Sequence, residues 1–307
     1  MQIRGLVHLL IVYVVWGSTY LGIRIAVRDG AGFPPFVMAG TRILVAGSIL
    51  LLWGALARQK LRPTRGDIIV FASSGLLLWL GGNGLVSWAE KRAESGYAAL
   101  LVGSAPLWTT VVESVIDRRP PTLRLLGALL IGLAGVAVLN YPVMRHGSSA
   151  DVLSAVALLV AVMSWGIGSV FQKRRPVTLS GEANAAYQLL FGSVALLIVS
   201  FLVGEPRPTP TPAAIAAWGY LVIFGSVVAF TSFVKALKLL PVGVVMTYAY
   251  VNPVIAVLLG WMILGEQITM WTFAGSALVL LGVMGVFHEM RRARNERRRA
   301  AAIHESA

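Results

Sequence analysis

Apolar residues in this chain come in long unbroken runs, not in helical stripes or strand alternations. Ten runs of about 20 residues can be traced: 6–27, 36–57, 67–87, 95–116, 123–141, 151–171, 182–203, 213–234, 241–264 and 269–289. Each is close to the length a helix needs to cross the hydrocarbon core of a bilayer. Gly, Pro and charged residues mark most of the breaks, as at Pro34-Pro35, Pro120-Pro121 and Gly204-Glu205-Pro206-Arg207-Pro208. The pattern predicts an all-α polytopic membrane protein with ten transmembrane helices. Transmembrane strands would alternate polar and apolar residues, and these runs do not. The first run is too long for a signal peptide and lacks a small-residue cleavage site after it, so it reads as a permanent helix.

Composition narrows the picture further. Hydrophobic residues make up 57% of the chain and charged residues 13%, where an ordinary soluble domain carries about 25% charge. Too little polar sequence remains to coat a soluble fold, which argues against a water-soluble enzyme. It also changes the meaning of the +13 net charge. In a soluble protein that excess would suggest nucleic acid; here it reads as Lys and Arg holding loops on the cytoplasmic face, and no nucleic-acid partner is expected. With both termini inside, the cytoplasmic segments hold 19 Lys and Arg: Arg4; Arg58, Lys60, Arg62 and Arg65; Arg118, Arg119 and Arg124; Lys173, Arg174 and Arg175; Lys235 and Lys238; and six in the tail, from Arg291 to Arg299. The opposite face holds five, Arg28, Lys91, Arg92, Arg145 and Arg207, while Arg24 and Arg42 lie within runs. That asymmetry predicts a multi-pass protein of the bacterial inner membrane with both termini cytoplasmic. Residues 290–307 form a basic tail that reads as a stop signal resting on anionic lipid, with RNA or protein binding as the other use of such a charge run.

The two halves resemble each other. At an offset of 147, Gly96 meets Gly243, Pro106 meets Pro253, Thr122 meets Thr269 and Gly135 meets Gly282; Trp16-Gly17 meets Trp165-Gly166 at an offset of 149. This predicts two five-helix units, 6–141 and 151–289. Because five is odd, the second unit enters the membrane from the opposite face. Inverted repeats of this kind build secondary transporters around a central cavity.

Residues of the second half also carry a family resemblance. Phe233-Val-Lys-Ala236-Leu237-Lys238-Leu-Leu-Pro241, then Val251-Asn252-Pro253-Val-Ile-Ala256, then Gly265-Glu266-Gln-Ile-Thr269 and Gly275 resemble the second EamA-type unit of the drug/metabolite transporter superfamily. The first half keeps Gly96, Pro106, Thr122 and Gly127 but has Arg118-Arg119 where the second has Gly265-Glu266. The resemblance implies a ten-helix exporter of small metabolites, often amino acids, with one branch exporting aromatic amino acids; multidrug or other metabolite export is the alternative. The outward direction comes from the resemblance alone.

Candidate site residues follow from polar and aromatic groups deep in the runs. Pro106 and Pro253 sit near the middle of the fourth and ninth runs, where a proline frees a backbone carbonyl. Such segments either line a cavity or are packing kinks. Trp16, Tyr20, Trp79, Asn83, Ser104, Trp108, Trp165, Tyr248 and Asn252 lie at comparable depths. Trp and Tyr ordinarily favour the membrane interfaces, and a buried indole N–H wants an acceptor. These positions read either as ordinary packing or as an aromatic, amide-bearing wall for an amphipathic small-molecule substrate. Arg24 is expected to snorkel outward. Arg42 lies about two turns into its run, and an intramembrane charge is a functional candidate: a clamp on neighbouring carbonyls, or a guide for anionic groups. Glu113 could carry protons, but pairing with Arg118 or Arg119 is the simpler expectation. No Asp or Glu falls at mid-membrane, which predicts transport without a central carboxylate. Gly127, Gly132 and Gly135 are expected to be helix contact surfaces.

Other classes are poorly supported. The chain has no Cys, and His8, His146, His288 and His304 lie near run ends or in loops, so neither a metal nor another cofactor is expected. Metalloprotease, nucleophile-elbow and phosphate-loop motifs are absent, which argues against an enzyme. A channel would call for a filter loop or charged rings. A scaffolding role would need more loop surface than these short connections provide.

Overall fold

The computed structural model describes residues 3–28, 30–89, 101–145, 152–264 and 268–305. Among them, all regular structure is helical: α1 Ile3–Val27, α2 Pro35–Leu56, α3 Arg65–Ala89, α4 Ala105–Asp117, α5 Leu123–Arg145, α6 Val152–Arg174, α7 Gly181–Leu202, α8 Pro212–Leu239, α9 Val242–Val245, α10 Tyr248–Leu264 and α11 Met270–Glu305. The helix starts follow local chemistry. Pro35 and Pro212 occupy first-turn positions of α2 and α8, where no N–H is needed. Thr64 and Asp67 form a reciprocal capping box on α3. Ser180 and Thr211 accept from the backbone N–H groups of Ala183 and Ala214 at the starts of α7 and α8.

Eight helices among the described residues are long and apolar enough to cross a membrane. The other two of the ten expected runs differ from single rods. The fourth loses residues 95–100, Gly96 included, which lie outside the described residues; the remainder is a helical turn at 101–103, a break at Ser104, and α4. Pro106 therefore opens a helix instead of interrupting one, because a first-turn position leaves its missing N–H without cost. The ninth run breaks at Met246-Thr247 into α9 and α10, and Pro253 lies inside α10. Gly265, Glu266 and Gln267 lie outside the described residues. At the C-terminus, helix continues from the last apolar run through the basic tail to Glu305. Arg, Ala and Glu are strong helix formers, and Arg292 and Glu296 pair one turn apart at 2.9 Å.

At most half of each spanning segment's apolar stretch is buried within the protein. The remainder faces outward as an apolar mantle that includes Leu52, Trp53, Phe201 and Leu202. Water would not tolerate so extensive a patch, whereas lipid tails would. The chain is therefore a multi-pass membrane protein.

Helix pairing inside the mantle is specific. α5 packs along α11 and α2 along α7; α1 contacts α8 and α10, while α6 contacts α3 and α4. Small residues set the closest approaches. A Cβ on Gly282 would lie 2.5 Å from the backbone N of Gly132, and one on Gly135 2.5 Å from that of Val279. Gly132 and Gly135 are contact surfaces as expected, but a Cβ at Gly127 would meet nothing within 4 Å. Gly127 points away from the seam.

Polar links tie the bundle at its two ends. At the end where α1 begins, Asp67 accepts from Thr64 N (2.9 Å), Thr178 N (2.9 Å) and Thr178 Oγ1 (2.7 Å). Arg174 pairs with Asp117 at 2.7 Å, and Lys235 pairs with Glu182 at 2.5 Å. At the far end, Glu205 accepts from Phe36 N (3.0 Å), Val37 N (2.8 Å) and Ser200 Oγ (2.9 Å), capping the N-terminus of α2. Asp67 is buried and serves two separate backbone segments. Asp67→Ala should lower the unfolding free energy in detergent by about 3 kcal/mol, the scale of losing hydrogen bonds to a charged acceptor, and Asp67→Asn should recover part of it. A thermal-unfolding series of the three proteins checks this; equal stability would show the tether to be idle.

Candidate functional site

Two π-helical stretches shape the centre of the bundle. Leu76–Gly84 interrupts α3, and Leu221–Val228 interrupts α8. A π-turn widens the helix and leaves carbonyls short of their usual partners. Here neighbouring side chains supply donors: Ser164 Oγ donates to Leu77 O at 2.7 Å, and Trp16 Nε1 donates to Gly225 O at 3.0 Å. The first stretch ends in the glycine-rich run Gly81-Gly82-Asn83-Gly84, a feature the sequence shows. The stretch Leu221–Val228 has a single glycine and carried no such signal.

Between these widened helices lies a cavity of about 100 Å³. Its lining comes from Trp16, Thr19 and Ile23 of α1, Arg42 of α2, Trp79, Gly82, Asn83 and Val86 of α3, Val102 and Ala105 about the fourth-run break, Ala161, Val162 and Trp165 of α6, Gly225 of α8, and Tyr248 and Asn252 of α10. The three tryptophans interlock edge to face, with Trp165 centred 5.6 Å from Trp16 and 6.2 Å from Trp79. Tyr248 lies 4.9 Å from Trp16. Phe233, 5.1 Å from Trp16, and Phe230, 5.0 Å from Trp79, are fully buried behind them. Along α1 the lining runs from mid-helix toward its C-terminal end, and along α3 from Trp79 to Val86. The cavity thus extends toward the far end of the bundle, while Phe230 and Phe233 back it on the side where α1 begins.

Arg42 is the charged side chain among the described lining residues. It is 4% exposed, its Cζ lies 5.5 Å from the centroid of the Trp79 ring, and its Nη2 donates to Asn83 Oδ1 at 3.4 Å. No described carboxylate pairs with it, and its Nε has no hydrogen-bond partner. The indole N–H groups of Trp79 and Trp165 are likewise buried without a partner. Three donors on cavity-lining side chains are therefore unused, and no Asp or Glu stands among the described lining residues. This chemistry suits an acceptor-rich, negatively charged group held against aromatic faces.

Of the residues singled out from the sequence, Trp16, Trp79, Asn83, Trp165, Tyr248, Asn252 and Arg42 converge on the cavity. Asn252, with its amide nitrogen turned to the backbone, donates to Tyr13 O (3.2 Å) and Tyr248 O (3.0 Å); it clamps α10 to α1 beside Pro253 as well as lining the space. Ser104 and Trp108 are outside the lining. The Ser104 hydroxyl bonds to Leu101 O, and Trp108 packs against the core. The side chains of Tyr20 and Arg24 lie outside the described residues. Glu113 differs from expectation: its charged neighbours are Arg174, Asp117 and Lys173. Arg118 ends α4 in a left-handed conformation (φ 52°), and both Arg118 and Arg119 point to solvent. The small residues Val102, Ala105, Ala161 and Val162 could not have been singled out, since apolar residues of their size fill every run.

An all-helical, multi-pass membrane protein with an aromatic-walled, arginine-bearing cavity in its interior has the form of a membrane carrier. The model of the EamA-like transporter family matches residues 3–141 and again 152–288, and the chain belongs to that family. An Escherichia coli K12 protein named as an uncharacterized inner membrane transporter, YedA, is 36% identical over 89% of this chain and 87% of its own. A probable terminal-alkyne amino-acid exporter of Streptantibioticus cattleyicolor is 26% identical over 90% of this chain and 91% of its own. A solved crystal structure shares the fold at a TM-score of 0.78 and 21% identity, covering 95% of this chain and 99% of that one. The protein is thus a membrane transporter, and the family's work is transport rather than catalysis.

Proposed function

We propose that the chain is a bacterial inner-membrane exporter of small metabolites, amino acids above all and aromatic or apolar ones favoured, working by alternating access. Arg42 takes the substrate carboxylate, helped by the indole N–H groups of Trp79 and Trp165, and the faces of Trp16, Trp79, Trp165 and Tyr248 take the apolar side chain. The observation that carries this reading is the presence of three unused donors on side chains that line an aromatic-walled cavity, with no acid among its described lining residues. The exporter relative's name agrees with the substrate class.

Ten spans arranged as two inverted halves, 6–141 and 151–289, form the machinery. Three features support the inversion. The family model matches twice. The π-helical stretches begin 145 residues apart, close to the sequence offset. The packing is also self-consistent under exchange of the halves, with α1 against α8 matching α6 against α3, and α2–α7 and α5–α11 each bridging the halves. With both termini cytoplasmic, the cavity faces outward, and export requires a second state in which Phe230 and Phe233 part.

The deciding test is counterflow in reconstituted liposomes, with free amino acids screened aromatic first. A carrier shows trans-stimulation; an open pore does not, and its absence would refute the reading. Trp165→Ala should shift the preference among aromatic and aliphatic substrates by about tenfold, the scale of removing one stacked aromatic contact, while leaving the amount of folded protein near wild type. Loss of folded protein with unchanged selectivity in the remainder would make Trp165 a packing residue. Transport should also run without proton coupling: an imposed pH gradient should fail to drive uphill flux. Gradient-driven accumulation that disappears in Glu113→Gln would overturn that expectation.

A further inference from the structure

A second cavity, of about 250 Å³, lies toward the end of the bundle where α1 begins, away from the end toward which the first extends. Its described polar lining consists of Gln172, Lys173, Arg175, Asn184 and Lys238, with no carboxylate among the described lining residues. Seven residues, roughly 10 Å of helix, separate Gln172 from Trp165 along α6, so the two cavities are distinct. The acids nearby are Glu182, paired with Lys235; Asp67, held by Thr64 and Thr178; and Glu113, whose charge acts on Lys173 from outside the lining. Lys173 Nζ donates to Lys238 O, and Lys238 Nζ donates to Leu179 O, which anchors both stems while each ammonium keeps further donors. Beneath these cations sits a chain of amides. Gln188 Nε2 donates to Gln172 Oε1 (3.0 Å) and to Asn184 Oδ1 (2.6 Å). Gln172 is 9% exposed, and its own Nε2 has no partner. A buried donor left unused is costly, and here it belongs to a pocket rimmed by three cations.

We propose that this pocket binds a phosphate group, held by Lys173, Arg175 and Lys238 at the rim and by the Gln172 amide at the base. Basic pockets between transmembrane helices commonly receive anionic headgroups, and a phosphate offers enough acceptor oxygens to use these donors together. The shared chemistry is a phosphate oxyanion, supplied either by a phospholipid headgroup or by a free phosphate compound.

The test uses the full chain purified in uncharged detergent, with thermal unfolding as readout. One arm titrates inorganic phosphate at constant ionic strength. The other adds phosphatidylglycerol, against phosphatidylcholine at the same mole fraction. Saturable protection is expected in at least one arm; protection by the lipid alone identifies the headgroup as the source, and protection by inorganic phosphate alone identifies a soluble compound. Lys173→Gln/Arg175→Gln should weaken the midpoint about tenfold, the loss expected when charge-assisted hydrogen bonds are removed. Gln172→Met, which changes no charge, should weaken it several-fold. Arg291→Gln/Arg292→Gln in the basic tail should leave it unchanged. No saturable protection in either arm overturns the proposal, and so does protection that survives both pocket variants. If Gln172→Met fails to fold, the Lys173/Arg175 pair against the tail variant still decides the matter.

Discussion

Arg42→Ala should reduce affinity for carboxylate-bearing substrates by about 100-fold while leaving the folded protein intact. The first half of this expectation follows from the unused donor. A hydrogen bond between charged partners contributes about 1.5–3 kcal/mol, and a guanidinium fork can make two to one carboxylate, which places the loss near two orders of magnitude. The second half follows from what Arg42 does in the substrate-free protein. It has one long hydrogen bond to Asn83, a cation–π contact with Trp79, and no described acid. A charge held so deep with so little compensation does not stabilise the fold, so its removal should cost little. Arg42→Lys should restore only part of the affinity, because an ammonium cannot present the planar fork or stack on the indole. Binding measured with an amino acid and with its carboxamide separates the roles: the variant should discriminate between them far less than the wild type. Unchanged affinity in Arg42→Ala would remove Arg42 from the binding site. Collapse of the folded protein would make it a structural clamp.

Gly282→Leu should disrupt the α5–α11 seam, with a loss of folded monodisperse protein in size-exclusion chromatography and a destabilisation of at least about 3 kcal/mol. A Cβ there would approach the N and Cα of Gly132 at 2.5 and 2.6 Å. Backbone atoms cannot turn aside as a flexible side chain can, so the helices themselves must separate, a penalty at or beyond the upper range for overpacking. Gly127→Ala is the matched control. It meets nothing within 4 Å and gains helix propensity, so it should be neutral or stabilising by up to about 1 kcal/mol. If both variants behave alike, close backbone approach is not what holds the two helices together.

These two glycines show where sequence reading reached and where it stopped. The sequence marks both as small residues in apolar runs, and the repeat pairs Gly135 with Gly282. Only the neighbouring helix distinguishes a residue at a backbone contact from one facing outward. The same holds for the prolines. Pro253 lies within a helix as its surroundings suggested, whereas Pro106 starts one, because the chain turns at Ser104 just before it. Sequence proximity alone pairs Glu113 with Arg118 or Arg119. The fold instead brings it beside Arg174, across the α4–α6 contact. The aromatic positions were more legible. A tryptophan deep in a membrane run departs from the interfacial preference of its kind, and three of the four such residues, Trp16, Trp79 and Trp165, meet at the cavity.

What the sequence determined by itself is everything that depends on local, additive quantities. Twenty-residue apolar runs specify spanning helices because every backbone polar group must be satisfied within its own segment in lipid. Hydropathy thus sets the medium, and caps and prolines set the helix ends. The charge count sets the expected orientation. What only the tertiary structure decided is which polar groups remain unused. Trp16 spends its indole N–H on Gly225, 209 residues away, while Trp79, Trp165 and Arg42 each keep a donor free. That distinction depends on the placement of carbonyls from distant helices and on π-turns that no local pattern announces in α8. A binding site is the set of donors and faces that folding leaves unpaired, and pairing is a property of the assembled bundle.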